Sequence, residues 1–120
     1  MHELSICQAL LSQVTDIAVG YRTAGLAQAT VDKITIEIGP LSGVDPSLLR
    51  SAFDVMRARG CAAAAELVIE PVVVQVECVA CGTISAAAAN RLICAQCGGY
   101  RTSIVSGQEL RLLRVEMHLN

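Results

Sequence analysis

The sequence predicts an α+β fold: a small mixed sheet with two helices, and a separate domain with two CxxC knuckles inserted into it. Three observations lead to this prediction. Two segments repeat apolar residues at helical spacing, and strand-like segments occur both early and late in the chain. The stretch between them holds paired cysteines and few large apolar side chains. The 120 residues allow one ordinary domain, or two small ones.

The first helix is predicted over residues 3–23, with Gly25 as a stop signal after it. Its apolar positions recur at spacings of three and four: Cys7, Leu10, Leu11, Val14, Ile17, Ala18 and Tyr21. A half-buried strand follows, in which Thr35 and Glu37 alternate with three isoleucines: Ile34, Ile36 and Ile38. Residues 39–43 are predicted to form a loop.

The second helix begins with a clear signal, because Asp45 can act as an N-cap and Pro46 fits the first helical position. The helix is expected to reach about Arg59 and to end at Gly60. Its inward-facing residues are predicted to be Leu49, Phe53 and Met56.

A long strand is predicted over residues 67–76, where Pro71 implies an edge position or a bulge. A last strand carries Leu110, Leu112, Val115 and Met117. Because this strand stands apart from the others in the sequence, we expect it to return to the first sheet. The predicted α+β domain therefore comprises residues 1–76 plus 109–120, with residues 77–108 as the inserted domain.

The composition excludes several classes of function. Nine basic and eleven acidic residues give a net charge of −2, without the basic face that a nucleic-acid-binding protein needs. Three aromatic residues are too few for base stacking. No apolar run approaches the roughly 20 residues of a membrane-spanning helix, and the acidic N-terminus does not resemble a secretory signal. We expect a cytoplasmic protein that binds neither nucleic acid nor membrane.

The clearest motif is a pair of CxxC sequences separated by twelve residues: Cys78, Cys81, Cys94 and Cys97. Each CxxC makes a tight turn that directs two sulfurs at one point, and the following glycine permits a left-handed backbone. The spacing predicts a zinc-ribbon-like domain whose closed four-thiolate shell holds structural Zn(II). Zinc binding at an apparent ~10–16 kcal/mol would order this core-poor segment. An iron–sulfur cluster or a redox CxxC motif is the alternative interpretation.

The N-terminus is a second candidate metal site. The bulky His2 blocks removal of the initiator methionine, so we expect Met1 to keep a free α-amine. That amine, the His2 backbone nitrogen and the His2 Nδ1 can close two fused chelate rings in a plane, which suits Ni(II) or Cu(II). Copper has the higher intrinsic affinity, so availability and partners would have to select nickel. In the alternative, the terminus is inert and Glu3 merely favours the positive helix end.

Three motifs together resemble the HypA/HybF hydrogenase maturation family: the MHELS start at residues 1–5, EIGPLSGV at residues 37–44, and CxxC-x12-CxxC with a following strand. The resemblance covers nearly the whole chain. It implies a nickel metallochaperone that works with the GTPase HypB on the [NiFe]-hydrogenase large subunit, with helix one as the docking surface for HypB. It also implies transient Ni(II) at Met1, His2 and Glu3, and Zn(II) at the four knuckle cysteines.

The sequence departs from the family pattern at its histidines. Many relatives carry histidine beside or between the zinc cysteines, whereas the only histidine here besides His2 is His118. We expect His118 to be a surface residue, Cys7 a small core residue, and Cys61 to fill a buried corner. A missing nickel ligand would come from backbone, Glu3, water or a partner. The chain can be a monomer or a dimer.

Three classes of function can be compared. A metal-delivery protein needs a weak, exchangeable nickel site beside a closed zinc site. A zinc-ribbon adapter for protein interaction needs only the zinc. An enzyme is disfavoured, because the sequence shows no nucleophile–base set and no phosphate-binding glycine loop.

Overall fold

The structure is a computed structural model that describes residues 2–23, 29–57 and 62–119, and only the backbone of residues 21–23 and 119. The described elements, in chain order, are α1 (His2–Thr23), β1 (Ala29–Ile38), α2 (Pro46–Met56), β2 (Glu66–Pro71), β3 (Gln75–Cys78), β4 (Ile84–Ala86), β5 (Thr102–Ser106) and β6 (Leu110–Leu119). They form one sheet in the order β2-β1-β6 and another in the order β4-β3-β5. The predicted fold class is confirmed. Neither described helix has the combination of length and apolar character needed to cross a bilayer.

Helix α1 confirms the prediction over residues 3–23 and begins one residue earlier. Its buried positions recur at helical spacing, as the apolar stripe predicted: Cys7, Val14 and Ala18. Ile17, placed on the same stripe, is 40% exposed. The helix packs against α2. The predicted stop at Gly25 and the side chain of Tyr21 lie outside the described residues.

Helix α2 begins as its sequence predicts. Asp45 is the N-cap in an extended conformation, and its Oδ1 accepts hydrogen bonds from the backbone nitrogens of Ser47, at 2.8 Å, and Leu48, at 3.3 Å. Leu49 and Phe53 are buried, and Met56 is half-buried. The helix ends at Met56 with Arg57 as the C-cap, before the predicted Arg59. Gly60 lies outside the described residues.

Strand β1 is the central strand of the first sheet, and both of its faces are partly buried. Its three isoleucines are buried as predicted. Thr35 is also buried, at 1% exposure, so the prediction that one face of the strand is exposed was wrong at Thr35. The last strand, β6, returns to this sheet beside β1, as expected. Because β3, β4 and β5 come between β2 and β6 in the chain, the cysteine-rich segment is an insertion.

The long strand predicted over residues 67–76 was wrong. The chain leaves strand β2 at Pro71 and enters β3, in the other sheet, at Gln75. Pro71 is the last residue of β2, an edge strand, which agrees with the predicted edge position. Arg50 of α2 donates to the carbonyl of Leu67 in β2, and the C-cap Arg57 donates to the carbonyl of Ala65 just before β2, each at 2.9 Å.

The chain divides into two compact units. The first contains Met1–Ile36, Val44–Ile69 and Leu112–Asn120, and the second contains Glu37–Gly43 and Glu70–Arg111. Loop 39–43 therefore belongs with the cysteine-rich segment. Within the second unit, Gly39 and Leu41 donate backbone hydrogen bonds of 2.7 Å to the carbonyls of Glu109 and Gly107. A Cβ at Gly39 would overlap the Gly107 carbonyl, so this approach requires glycine.

Candidate metal centres

The two CxxC sequences fold into matching turns. In each turn, the glycine after the second cysteine donates its backbone hydrogen bond to the carbonyl of the first cysteine, at 2.9 Å: Gly82 to Cys78, and Gly98 to Cys94. Both glycines have a φ of 74°, the left-handed conformation that the sequence predicted for them. The two knuckles are therefore equivalent in their backbone geometry.

The knuckles bring their four sulfurs to one place. The Sγ atoms of Cys78, Cys81, Cys94 and Cys97 all lie within 4.8 Å of one another. The Sγ atoms of Cys78 and Cys97 are 3.6 Å apart, as are those of Cys81 and Cys94. A tetrahedral ion with a metal–sulfur distance of about 2.3 Å would separate its ligands by about 3.8 Å. The arrangement therefore fits one tetrahedral ion such as zinc. An iron–sulfur cluster spreads its thiolates over several iron atoms and fits less well.

Burial divides the four ligands into two pairs. Cys78 and Cys94, the first residue of each knuckle, are buried, whereas Cys81 and Cys97 are exposed. The backbone of Gly99 closes one side, because a Cβ there would lie 3.3 Å from the Cys97 Sγ. The backbone nitrogen of Cys97 also donates to the Cys94 Sγ, at 3.4 Å. Such N–H donors stabilise thiolate charge.

Hydrogen bonds shift the pKa values of the two exposed thiols in opposite directions. Hydrogen bonds with Thr83 lower the pKa of Cys81 to about 6, and the bond with the Thr83 side chain has a larger effect than the bond with its backbone. The backbone of Gly99 lowers the pKa of Cys97, but bonds with the other three sulfurs outweigh it and raise that pKa to about 11. The lowered pKa of Cys81 favours the thiolate, which is the form that binds metal.

The N-terminal candidates lie at the start of α1. His2 is exposed, Glu3 is half-buried, and Met1 lies outside the described residues. The Glu3 Oε2 accepts a hydrogen bond from the backbone nitrogen of Asp45, at 3.3 Å. The first four N–H groups of a helix have no partner within it, so the backbone nitrogens of His2 and Glu3 make no helical hydrogen bond.

Cys7 and His118 are not members of the sulfur cluster. Cys7 is 2% exposed, which confirms it as a core residue, and burial raises the pKa of its thiol. His118 is exposed, as expected, but its ring contacts the carboxylate of Asp32, which sequence reasoning missed. No local pattern marks that contact, because the two residues are 86 positions apart. Cys61 lies outside the described residues.

Comparison with known proteins gives a consistent result over the whole chain. A family model described as "HypA: Hydrogenase/urease nickel incorporation, metallochaperone, hypA" matches residues 1–117. The hydrogenase maturation factor HypA of Nitrosospira multiformis is 40% identical over 117 residues, which are 98% of this chain and 97% of that protein. The same factor from Aquifex aeolicus is 36% identical over 120 residues, the full length of both.

Solved structures agree with these matches. The solution structure of the Ni metallochaperone HypA from Helicobacter pylori has a TM-score of 0.63 at 27% identity, covering 98% of each chain. A second solution structure, of HypA protein, has a TM-score of 0.67 at 28% identity and covers 98% of this chain and 97% of that one. The family model and the full-length relatives show that this chain belongs to the HypA family of hydrogenase/urease nickel-incorporation metallochaperones.

Proposed function

We propose that this protein binds Ni(II) at Met1, His2 and Glu3 and delivers it for the maturation of [NiFe]-hydrogenase. The observation that carries the proposal is the position of His2 as the first residue of α1, exposed and free of intrahelical backbone bonding. The family match over residues 1–117 supports the same activity.

The chelate follows from the chemistry of these residues. The α-amine of Met1, the backbone nitrogen of His2 and its Nδ1 supply three nitrogens in one plane. An ion that displaces the His2 amide proton breaks no helical hydrogen bond, since that N–H lies in the first turn. The fourth position goes to Glu3 or to water. Four ligands in a plane suit low-spin d⁸ Ni(II).

The same geometry favours release. His2 is exposed, so a partner can reach the ion without unfolding the protein. Binding requires the α-amine and the imidazole in their deprotonated forms, so protons compete with nickel. A delivery protein needs such an exchangeable site.

We assign Zn(II) to the four knuckle cysteines in a structural role. Their donor set and mutual distances fit one tetrahedral ion. Bound zinc would cross-link the two knuckles and hold the thiolates ionised. Cys78 and Cys94 anchor the site to the buried side of the second unit, and Cys81 and Cys97 close it from outside. Four protein ligands leave no position for a reacting water, so we assign no enzymatic activity to this site.

We place this activity in the cytoplasm, with the GTPase HypB and the [NiFe]-hydrogenase large subunit as partners. The support is the family membership and the absence of a membrane-spanning helix among those described. Helix α1 and its start are the proposed surface for HypB. The nickel site and the docking surface for HypB would then lie at the same end of the first unit. A zinc-ribbon adapter without nickel is the competing function, and only nickel binding separates the two.

Nickel titration of three untagged proteins tests the proposal: the native chain, His2→Ala, and a chain with one extra residue before Met1. We expect one nickel per chain at this site in the native protein and its loss in both variants, with zinc content unchanged. Equal nickel binding by all three would contradict the terminal site, and no nickel binding by the native protein would favour the adapter function.

A further inference from the structure

A second histidine is held in a defined orientation on the first unit. The Nδ1 of His118, on β6, lies 2.9 Å from both carboxylate oxygens of Asp32, on β1. Both side chains are about half exposed, at 55% and 51%. Because Asp32 is an acceptor, the neutral ring places its proton on Nδ1. The lone pair of Nε2 is then on the opposite side of the ring.

Periodicity puts a carboxylate on the same face of β6 as that ring. Glu116 precedes His118 by two residues in β6, so both side chains leave the same face of the strand. Residues two apart in a strand are roughly 6.6 Å apart along it, close enough for two side chains to share one ion. Glu116 pairs with Lys33 at 4.0 Å, but both side chains are well exposed, at 56% and 41%. Such an exposed ion pair contributes little to stability, so Lys33 competes only weakly with another cation for the Glu116 carboxylate.

A carboxylate that accepts the second ring N–H is a recurrent feature around metal-binding histidines. It fixes the tautomer and the ring plane and makes the other nitrogen more basic. Asp32 has this geometry toward His118 through two contacts of equal length. The imidazole is therefore oriented before any ion binds.

We propose that Glu116 and His118 form a second, low-affinity site for a borderline divalent cation such as Ni(II), with Asp32 as a positioning residue. His118 binds through Nε2, Glu116 through a carboxylate oxygen, and water fills the other positions. Two exposed protein ligands give weak, rapid binding. The site lies on β6, apart from the residues assigned to nickel delivery, and it does not depend on that assignment.

The test uses untagged, zinc-loaded His2→Ala protein, titrated with Ni(II) and followed by NMR of the imidazole protons. The chain has two histidines, so this variant leaves only His118 to observe. Ni(II) with mixed nitrogen and water ligands is paramagnetic, unlike square-planar Ni(II), and it broadens nearby protons. We expect the His118 signals to broaden at nickel concentrations that leave other surface signals sharp.

Variants separate the roles. In the His2→Ala background, Asp32→Ala should raise the nickel concentration for half-broadening about tenfold, as loss of such a hydrogen-bond partner does in known sites. Glu116→Gln should also raise it, whereas Glu66→Gln, at an exposed residue of edge strand β2, should not. No broadening at excess nickel would overturn the site, and an unchanged midpoint in Asp32→Ala would overturn the positioning role.

Discussion

The carboxylate of Glu3 accepts a hydrogen bond from the backbone N–H of Asp45, with 3.3 Å between Oε2 and the nitrogen. This contact joins the first turn of α1 to the residue that caps α2. The Asp45 side chain caps the start of α2, while its backbone N–H donates to the Glu3 side chain at the start of α1. The terminus that we propose for nickel is thus supported by α2.

Loss of the Glu3 acceptor is expected to weaken the fold slightly. The bond is exposed, so Glu3→Ala should lower the free energy of unfolding by about 0.5–1 kcal/mol. Glu3→Gln keeps an acceptor oxygen and should fall between Glu3→Ala and the native protein. Urea denaturation measures the difference, with the exposed Asp16→Ala on the same helix as a control. The contact has no energetic role if Glu3→Ala is no less stable than Asp16→Ala.

Removal of one buried sulfur is expected to release the zinc. Cys94→Ser takes away a ligand that is 1% exposed, so zinc content should fall well below one per chain and NMR dispersion of β3, β4 and β5 should collapse. Cys7→Ala is the matched control, because Cys7 is equally buried but lies outside the cluster. It should keep one zinc per chain. A folded, fully zinc-loaded Cys94→Ser protein would contradict the four-sulfur site.

Local signals explain which features the sequence predicts well. Asp45 and Pro46 mark the start of α2 because capping depends on adjacent residues. The CxxC turns are predictable for the same reason, because the glycine that adopts the positive φ directly follows each motif. Pro71 indicates an edge position because it cannot donate a hydrogen bond, and β2 is an edge strand.

Features set by distant residues could not be predicted. Residues 67–76 form one apolar, β-branched run, yet the chain changes sheets between Pro71 and Gln75. The residues between the two strands are hydrogen-bonded by segments that come later in the chain. Ser106 donates to the Val73 carbonyl at 2.7 Å, and Ala87 donates to the Val74 carbonyl at 3.0 Å. The Glu3 and Asp32 contacts likewise join residues far apart in sequence, without any periodic signature.

Among the residues that the structure describes, Thr35 is the one buried polar side chain of the core. Its Oγ1 has no hydrogen-bond partner among those described residues. A buried polar group without a partner costs about 1–3 kcal/mol. Thr35→Val keeps the shape and removes the hydroxyl, so it should raise the unfolding free energy by about 1 kcal/mol. Thr35→Ala should lower it, because it leaves a cavity. Thermal denaturation compares them, and a Val variant less stable than native would indicate a partner for the hydroxyl.

Glu109 is expected to make the second unit sensitive to acid. Its Oε1 accepts from the Gly107 backbone N–H at 2.6 Å, and this bond lowers the pKa of the carboxyl. A lowered pKa stabilises the fold above the unfolded value of about 4.3, and this contribution is lost as pH falls through the folded value. The stability gap between native protein and Glu109→Gln should therefore shrink as pH falls below the unfolded value and through the folded one. Urea titrations at each pH measure it, and a constant gap would contradict the linkage.

The most direct test of the proposed nickel site is the absorption spectrum of untagged protein loaded with one nickel per chain. A planar site of terminal amine, His2 amide and imidazole predicts a single d–d band typical of square-planar, diamagnetic Ni(II). One residue added before Met1 should abolish that band while the zinc content stays the same. An identical band in the extended protein, or only octahedral nickel in the native one, would contradict the terminal site.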